Sequence, residues 1–562
     1  MIENLPREFT IKQLQRFNFG NIEANDDELL FDSVCETSAI IEFINGSKNI
    51  VLGEKGTGKT ALFRLIKEEK LKFNPKNGFL NIIIPIEDNF QYKNIKGKIL
   101  NHISTNSEDE NFKYQVVWEL FIFHKITQRL EKDGITIPSS ITKGINLAKK
   151  VFNNNSIDNF IKTKKTLGIK LYDTPTLILP DLYLTTEPIA TDENQKEISI
   201  EKLEIDLDFY KQEINKYLLE KQLNLILIID RLDEFVSKTS QQAQLEMLEA
   251  LIVVEREYSK YSNIEIKIFL RDDLFKQLSF EGIGYDKVIS KKVDLKWTPE
   301  KIREFIAKRI CSNYINLFKL ETIKISVDQE TLEIDTSIDS HNYVTPNIWT
   351  RACRKIIKKL YPLHYNQKFP RKVNLNDNLN KQIILSIFPK YVDYKNEEGK
   401  IIEVDIFDYL SENFNLGTGN SIPRLILIFL QKTLSVANNY YIENFDQTSI
   451  IQNDQKCFEL FKKGFFEEAY SDFKNEIYIN FAKLNPEFEG KIMIFKEKIG
   501  NRFSFKAKDV KVLLNIKDDN ELYHFCEYLL HIGFLKRTNS TSAIDDMKFE
   551  LPLLFRNTVG KK

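Results

Sequence analysis

The chain has 562 residues, past the roughly 250–300 at which a single core stops growing, so two to four domains of about 150 residues each are expected. Hydrophobic residues at 42% and charged residues at 29% exclude wholesale disorder. The 80 Lys and Arg against 81 Asp and Glu leave a net charge of −1, which excludes a surface that is basic throughout but leaves room for a local basic patch.

Residues 1–18 read as a short lead-in. Met1-Ile2-Glu3-Asn4-Leu5-Pro6 has no basic segment followed by an apolar one, so no signal peptide is expected. No apolar run approaches about 18 residues. The expectation is a soluble cytoplasmic chain without a membrane partner. Residues 19–296 read as the first large domain, opening with a helix around Asp27–Asn45.

Next comes Gly53-Glu54-Lys55-Gly56-Thr57-Gly58-Lys59-Thr60, a full match to G-x-x-x-x-G-K-[ST]. The apolar run Ile50-Val51-Leu52 precedes it, and helically spaced residues follow from Ala61. Glycines let the backbone turn tightly so that its N–H groups converge on an anion. The helix start adds its positive end. Gly53 to Ala61 are therefore the candidate ATP-binding residues. Lys59 is placed on the β- and γ-phosphates, where it also serves catalysis, and the Thr60 hydroxyl on Mg²⁺.

A strand over Leu80–Pro85 and a long helix over Asn111–Lys132 come next, with Trp118, Leu120, Phe121 and Phe123 assigned to the core. Ile135–Lys221 reads as an insertion, because about 170 residues separating the two motifs exceed what a P-loop core needs. Its segment Leu171–Pro180 reads as short strands. The insertion is either a partner surface or decoration.

Leu225–Ile229 is a continuous apolar run, as in a strand buried on both faces of a parallel sheet. Asp230 lies at its carboxyl end and is the candidate Mg²⁺ carboxylate, against the alternative of a helix cap. Asp233 and Glu234 follow within a turn, and either can serve as the catalytic carboxylate toward water. A helix over Gln241–Tyr258 leads to a strand from Ile264 that ends in Arg271-Asp272-Asp273. Arg271 either senses phosphate or pairs with a neighbouring Asp.

Residues 297–445 read as a helical lid, interrupted near Asn366–Asp377 and Lys390–Lys400. Arg424 follows Pro423 at the start of an apolar helix and either reaches the nucleotide or lies at the surface. Residues 446–562 read as a helical linker and a winged-helix-like domain: helices at Ala507–Leu514 and Glu521–His531, strands from Gly533 and at Met547–Pro552. From Gly500 onward 11 Lys and Arg stand against 8 Asp and Glu, a balance of +3, which permits DNA contact without arguing for it. The five cysteines include no C-x-x-C pair and the six histidines no H-E-x-x-H, so neither zinc nor a disulfide framework is expected.

Several of these residues resemble a known group. Asp230-Arg231-Leu232-Asp233-Glu234 after an apolar run is similar to the hhhhD-x-x-D-E motif of STAND-type NTPases, relatives of the AAA+ and origin-recognition-like ATPases. Phe19-Gly20-Asn21-Ile22-Glu23-Ala24-Asn25-Asp26-Asp27 resembles the F-G-x-x-x-A-E-x-D lead-in of a family of uncharacterised bacterial P-loop ATPases, with Asn25 in place of its acidic residue. Asp294-Leu295-Lys296-Trp297 and Gly419–Leu427 are similar to lid motifs of these proteins. The resemblance implies an α/β P-loop NTPase, with helices on both faces of a parallel sheet, that binds and slowly hydrolyses ATP. It further implies a nucleotide-controlled switch, often in bacterial defence or a DNA-linked process, with a protein partner or self-association. A nucleotide-gated DNA binder and a non-hydrolysing scaffold are the alternatives.

Overall fold

The computed structural model describes residues 2–3, 8–87, 110–135, 142, 166–170, 177–179, 202–235, 241–280, 284–318, 322–327, 330–335, 376–396, 400–446, 450–452, 460–483, 486–500, 502–541 and 543–556. The chain forms two compact units, each discontinuous in sequence. One comprises residues 1–37, 54–61 and 296–562, the other 38–53 and 62–295.

The 38–295 unit is built on a five-stranded sheet: β1 (Ile50–Gly53), β2 (Leu80–Ile86), β3 (Leu223–Ile229), β4 (Ile264–Arg271) and β5 (Lys292–Asp294). Every pairing is parallel, and the order is β5-β1-β4-β3-β2. Side chains alternate across a strand, and here both faces are apolar. Val51, Ile226, Ile228 and Phe269 join one core with Leu62, Phe63 and Ile66 of α1 (Lys59–Lys67) and with Phe43. Ile50, Leu52, Leu225, Leu227 and Ile229 face the other core. That core is covered by α2 (Glu110–Lys132), α3 (Leu207–Lys221) and α4 (Gln241–Tyr258). Phe269 meets Phe43 and Phe63 nearly edge-on at 5.5 and 5.9 Å, worth about 0.5–1.5 kcal/mol per pair beyond area burial. This is an α/β P-loop fold with a helix-rich C-terminal region.

Trp118 is fully buried on α2 and donates its indole N–H to the Met247 carbonyl at 3.0 Å, which makes it core. Leu120, Phe121 and Phe123 are buried as well. The helix expected over Asp27–Asn45 is shorter. Turns occupy most of the stretch from Ile22 to Ser33, and the helix spans Ser38–Ile44. The Asp27 carboxylate accepts the Asn21 and Leu29 amides, an alternative to helical pairing that short polar side chains offer. Within the expected insertion, Thr166–Lys170 pairs with Leu177–Leu179 and Lys202–Asp206. The remainder of Leu171–Pro180 lies outside the described residues. The last part of that stretch is core: α3 buries Leu207, Tyr210, Ile214 and Leu218 with the sheet.

The other unit contains α5 (Pro299–Phe318), α6 (Pro423–Asn444) and α7 (Lys463–Ala482). The expected run of helices is broken by an antiparallel hairpin, Thr322–Val327 with Glu330–Asp335, and a second, Tyr391–Lys395 with Ile401–Asp405, lies at the interruption expected near Lys390–Lys400. The alternation Ile323, Ile325, Val327 and then Leu332, Ile334 has the strand period, which is why the first of these is not helical. At the C-terminus α8 (Pro486–Ile499), β6 (Ser504–Lys506), α9 (Ala507–Leu514), α10 (Asp519–His531), β7 (Lys536–Arg537) and β8 (Lys548–Glu550) follow in order. The sheet order is β6-β8-β7. Phe495, Phe505, Phe525, Phe534 and Phe549 fill the core of this module. Among the described residues no helix is long and apolar enough to cross a membrane.

Cys35, Cys311 and Cys526 are buried free thiols, and burial pushes each up to about 12. The reactive form is the thiolate. All three should therefore resist iodoacetamide at pH 8 in the native chain and react once it is unfolded. Peptide mapping by mass spectrometry checks this, and native labelling at any of the three would contradict the burial.

Candidate functional site

The loop between β1 and α1 is shaped by two glycines in the left-handed region, Gly56 at φ +93° and Gly58 at φ +99°, a conformation that L side chains rarely adopt. Gly56 is also crowded: a Cβ there would stand 2.8 Å from Arg424 Cβ and 3.0 Å from Ile422 Cγ2. Three donors meet on the Glu54 carbonyl: the Thr57 amide at 3.3 Å, the Thr57 hydroxyl at 2.9 Å and the Lys59 ammonium at 3.0 Å. Lys59 and Thr60 open α1, both half-buried, while Lys55 is exposed. Tight glycine turns, a lysine and a hydroxyl at a helix start are what a phosphate cradle requires.

Three contacts hold this loop from outside its own sequence. The Trp297 indole donates to the Thr57 carbonyl at 2.8 Å. The Arg424 backbone N–H donates to the Gly56 carbonyl at 3.4 Å. Asn420 Nδ2 donates to Glu54 Oε1 at 2.6 Å. Sequence reasoning placed Trp297 and Asn420 in motifs without giving either a role. Arg424 sits at the start of α6 as expected, and its guanidinium pairs with Glu23 at 3.0 Å.

The lead-in around Phe19-Gly20 is fixed by α5. Arg309 pairs with Asp27 and donates to the Phe19 carbonyl, its guanidinium 4.5 Å from the Phe305 ring centre. Arg309 is 1% exposed and Asp27 3%, so this is a buried ion pair. Gly20 has φ +88°, and a Cβ there would run into Arg309 and Asp27. Asn313 both accepts the Asn18 amide (3.0 Å) and donates to the Asn18 carbonyl (2.6 Å).

In the other unit, Asp230 follows β3 with 3% exposure, and its N–H donates to the Ile86 carbonyl at 3.1 Å. The carboxyl ends of strands in such a sheet are where open α/β folds bind ligands. Arg231 takes φ +58°, a region costly for residues other than glycine. The turn Leu232–Phe235 buries Leu232 and Phe235 and leaves Asp233 and Glu234 exposed. Glu234 lies 3.7 Å from Arg231. Arg271 grips Asp273 with two bonds, 3.0 and 2.6 Å, and stands 3.7 Å from Asp233. Strand ends β3 and β4 thus bring Asp233, Arg271 and Asp273 together.

No family model matches the chain. It is similar to the putative transposon gamma-delta 80.3 kDa protein of Escherichia coli (strain K12), 26% identical over 310 residues. That match covers 52% of this chain and 39% of the relative, so the chain spans about two fifths of the relative's length. Among solved structures it is similar to the Aeropyrum pernix ORC2 protein in its ADPNP-ADP complexes, at 11% identity and a TM-score of 0.35, over 94% of each chain. A second is the Aeropyrum pernix ORC1 protein in complex with DNA, at 10% identity and a TM-score of 0.28, over 98% of this chain and 91% of that one. The all-parallel order β5-β1-β4-β3-β2 and the Gly56/Gly58 loop after β1 make the sheet a P-loop fold.

Proposed function

We propose that the chain binds ATP with Mg²⁺ on the loop Gly53–Ala61 and hydrolyses it, acting as a nucleotide-controlled switch. The observation that carries this reading is the Gly56/Gly58 loop with Lys59 and Thr60 at the start of α1, at the end of a strand in a P-loop sheet. Thr60 and Asp230 are the residues that would hold Mg²⁺, which supplies charge neutralisation of the phosphates when bound. Lys59 holds the β- and γ-phosphates. Asp233 or Glu234 orients the attacking water, and Arg271 stands beside Asp233 to meet developing negative charge. Positioning and electrostatics do most of the work in such a reaction. The STAND-like motif and the transposon-linked relative together favour a setting in defence or mobile DNA.

The C-terminal module is read as a winged helix that faces protein. Its third helix, α10, carries Asp519, Glu521 and Glu527 and no Lys or Arg, a poor match to a phosphate backbone.

ATP titration with and without Mg²⁺ tests the site. In the wild type the metal should tighten ATP binding about tenfold or more, and Asp230→Asn should lose most of that gain. An equal Mg²⁺ response in the two would remove Asp230 from the metal, and absence of ATP binding by the wild type would remove the function.

A further inference from the structure

The turn Asn415–Ser421 touches two places far apart in sequence. On one side Asn420 donates to Glu54 in the phosphate loop. On the other, the Gly417 amide donates to the Gly533 carbonyl at 2.6 Å. Gly417 is seated so closely that a Cβ would collide with the Leu535 carbonyl. Gly533, at φ +74°, is covered by Leu416, whose Cβ would lie 2.8 Å from a Cβ added there.

The turn itself is stiff. Leu416 donates to the Asn420 carbonyl at 3.2 Å and Gly419 to the Leu416 carbonyl at 2.8 Å. Asn415 and Ser421 form a β-bridge, and the Ser421 hydroxyl donates to Asn415 Oδ1 at 2.6 Å. Its far anchor is stiff as well. Gly533 follows the end of α10, where the Phe534 and Leu535 amides both return to the Leu529 carbonyl, at 2.9 and 3.1 Å, a glycine-terminated helix end.

We propose that Asn420 is a positioning residue for the phosphate loop and that the C-terminal module sets its position through the Gly417–Gly533 contact. The proposal rests on the ATP reading above. The path is physical at each step. The Asn420 amide ties the Glu54 carboxylate to the turn at 2.6 Å. The Glu54 carbonyl is the point on which Thr57 and Lys59 converge, so a shift of Glu54 moves the anchor of the lysine that meets the phosphates. A partner that displaces the α10–β7 corner therefore changes nucleotide affinity. By linkage, nucleotide changes the affinity for that partner by the same factor.

The test uses the full chain and ATP. Asn420→Ala should raise KM for ATP about fivefold or more with a smaller change in kcat, within the usual range of site-to-site coupling. Asn420→Gln, which keeps the amide, should recover part of the loss. Gly533→Ala, remote from the loop, should also weaken ATP, and the double variant should be no weaker than the worse single one. Multiplying effects, or a Gly533→Ala chain with unchanged ATP affinity, would overturn the proposal. If Gly533→Ala does not fold, amide exchange of the wild type decides. ATP should slow exchange at Gly533, Phe534 and Leu535, and unchanged rates at saturating ATP would overturn it. A Lys59→Ala chain that binds ATP as well as the wild type would instead overturn the ATP reading, which keeps the two failures apart.

Discussion

Lys59→Ala should lower ATP turnover by about 100-fold or more while leaving thermal unfolding close to that of the wild type. The ammonium sits at the first residue of α1 and reaches back to the Glu54 carbonyl at 3.0 Å. A bound triphosphate offers it a far stronger partner than a neutral carbonyl, because the ammonium then meets full negative charge instead of a carbonyl dipole. Negative charge builds on the transferring phosphoryl oxygens in the transition state, and removing one well-placed donor from such a site typically costs about 100- to 1000-fold. Alanine is the best helix former, so the substitution does not tax α1. Phosphate release and a melting curve separate the two effects. Turnover equal to wild type would remove the loop from the chemistry.

Asp27→Ala should destabilise the unit containing residues 1–37 and 296–562 by about 3–5 kcal/mol, the usual penalty for stranding one member of a buried ion pair. Arg309 then keeps its contacts to the Phe19 carbonyl and the Phe305 ring but loses its counter-charge. Asp27 also accepts the Asn21 and Leu29 amides, so the lead-in turn loses its internal ties at the same time. Replacing both partners with apolar residues, Asp27→Leu with Arg309→Met, should be milder than either single charge removal, since no unpaired charge remains buried. A denaturant titration reported by amide exchange at Asn21 and Leu29 and along α5 checks this. A single variant as stable as the wild type would show that the pair contributes nothing net.

What the sequence discloses here is what is local in it. The phosphate loop places its glycines, lysine and threonine within eight residues, so backbone and chemistry are visible together. β3 is an unbroken apolar run because both its faces are covered, and α4 matches its periodic stretch. The lead-in motif was visible as a pattern but not as a mechanism. Its Gly20 and Asp27 make sense only against Arg309, 282 residues beyond Asp27. The hold of Asn420 on Glu54 spans 366 positions and leaves no periodic trace. The hairpin Thr322–Asp335 did carry a strand alternation, but it lies between helical stretches and was absorbed into them. Arg271 kept two readings in the sequence, and its forked bond to Asp273 shows the ion pair.

The discontinuity of the two units bears on how the chain is made. On the ribosome, residues 38–295 emerge as a nearly complete set of strands and covering helices and can collapse at once. Phe19, Gly20 and Asp27 emerge earlier, yet their seat on α5 does not exist until Arg309 has been translated. For that interval this segment waits with its aromatic residues uncovered, the kind of transient exposure that chaperones recognise.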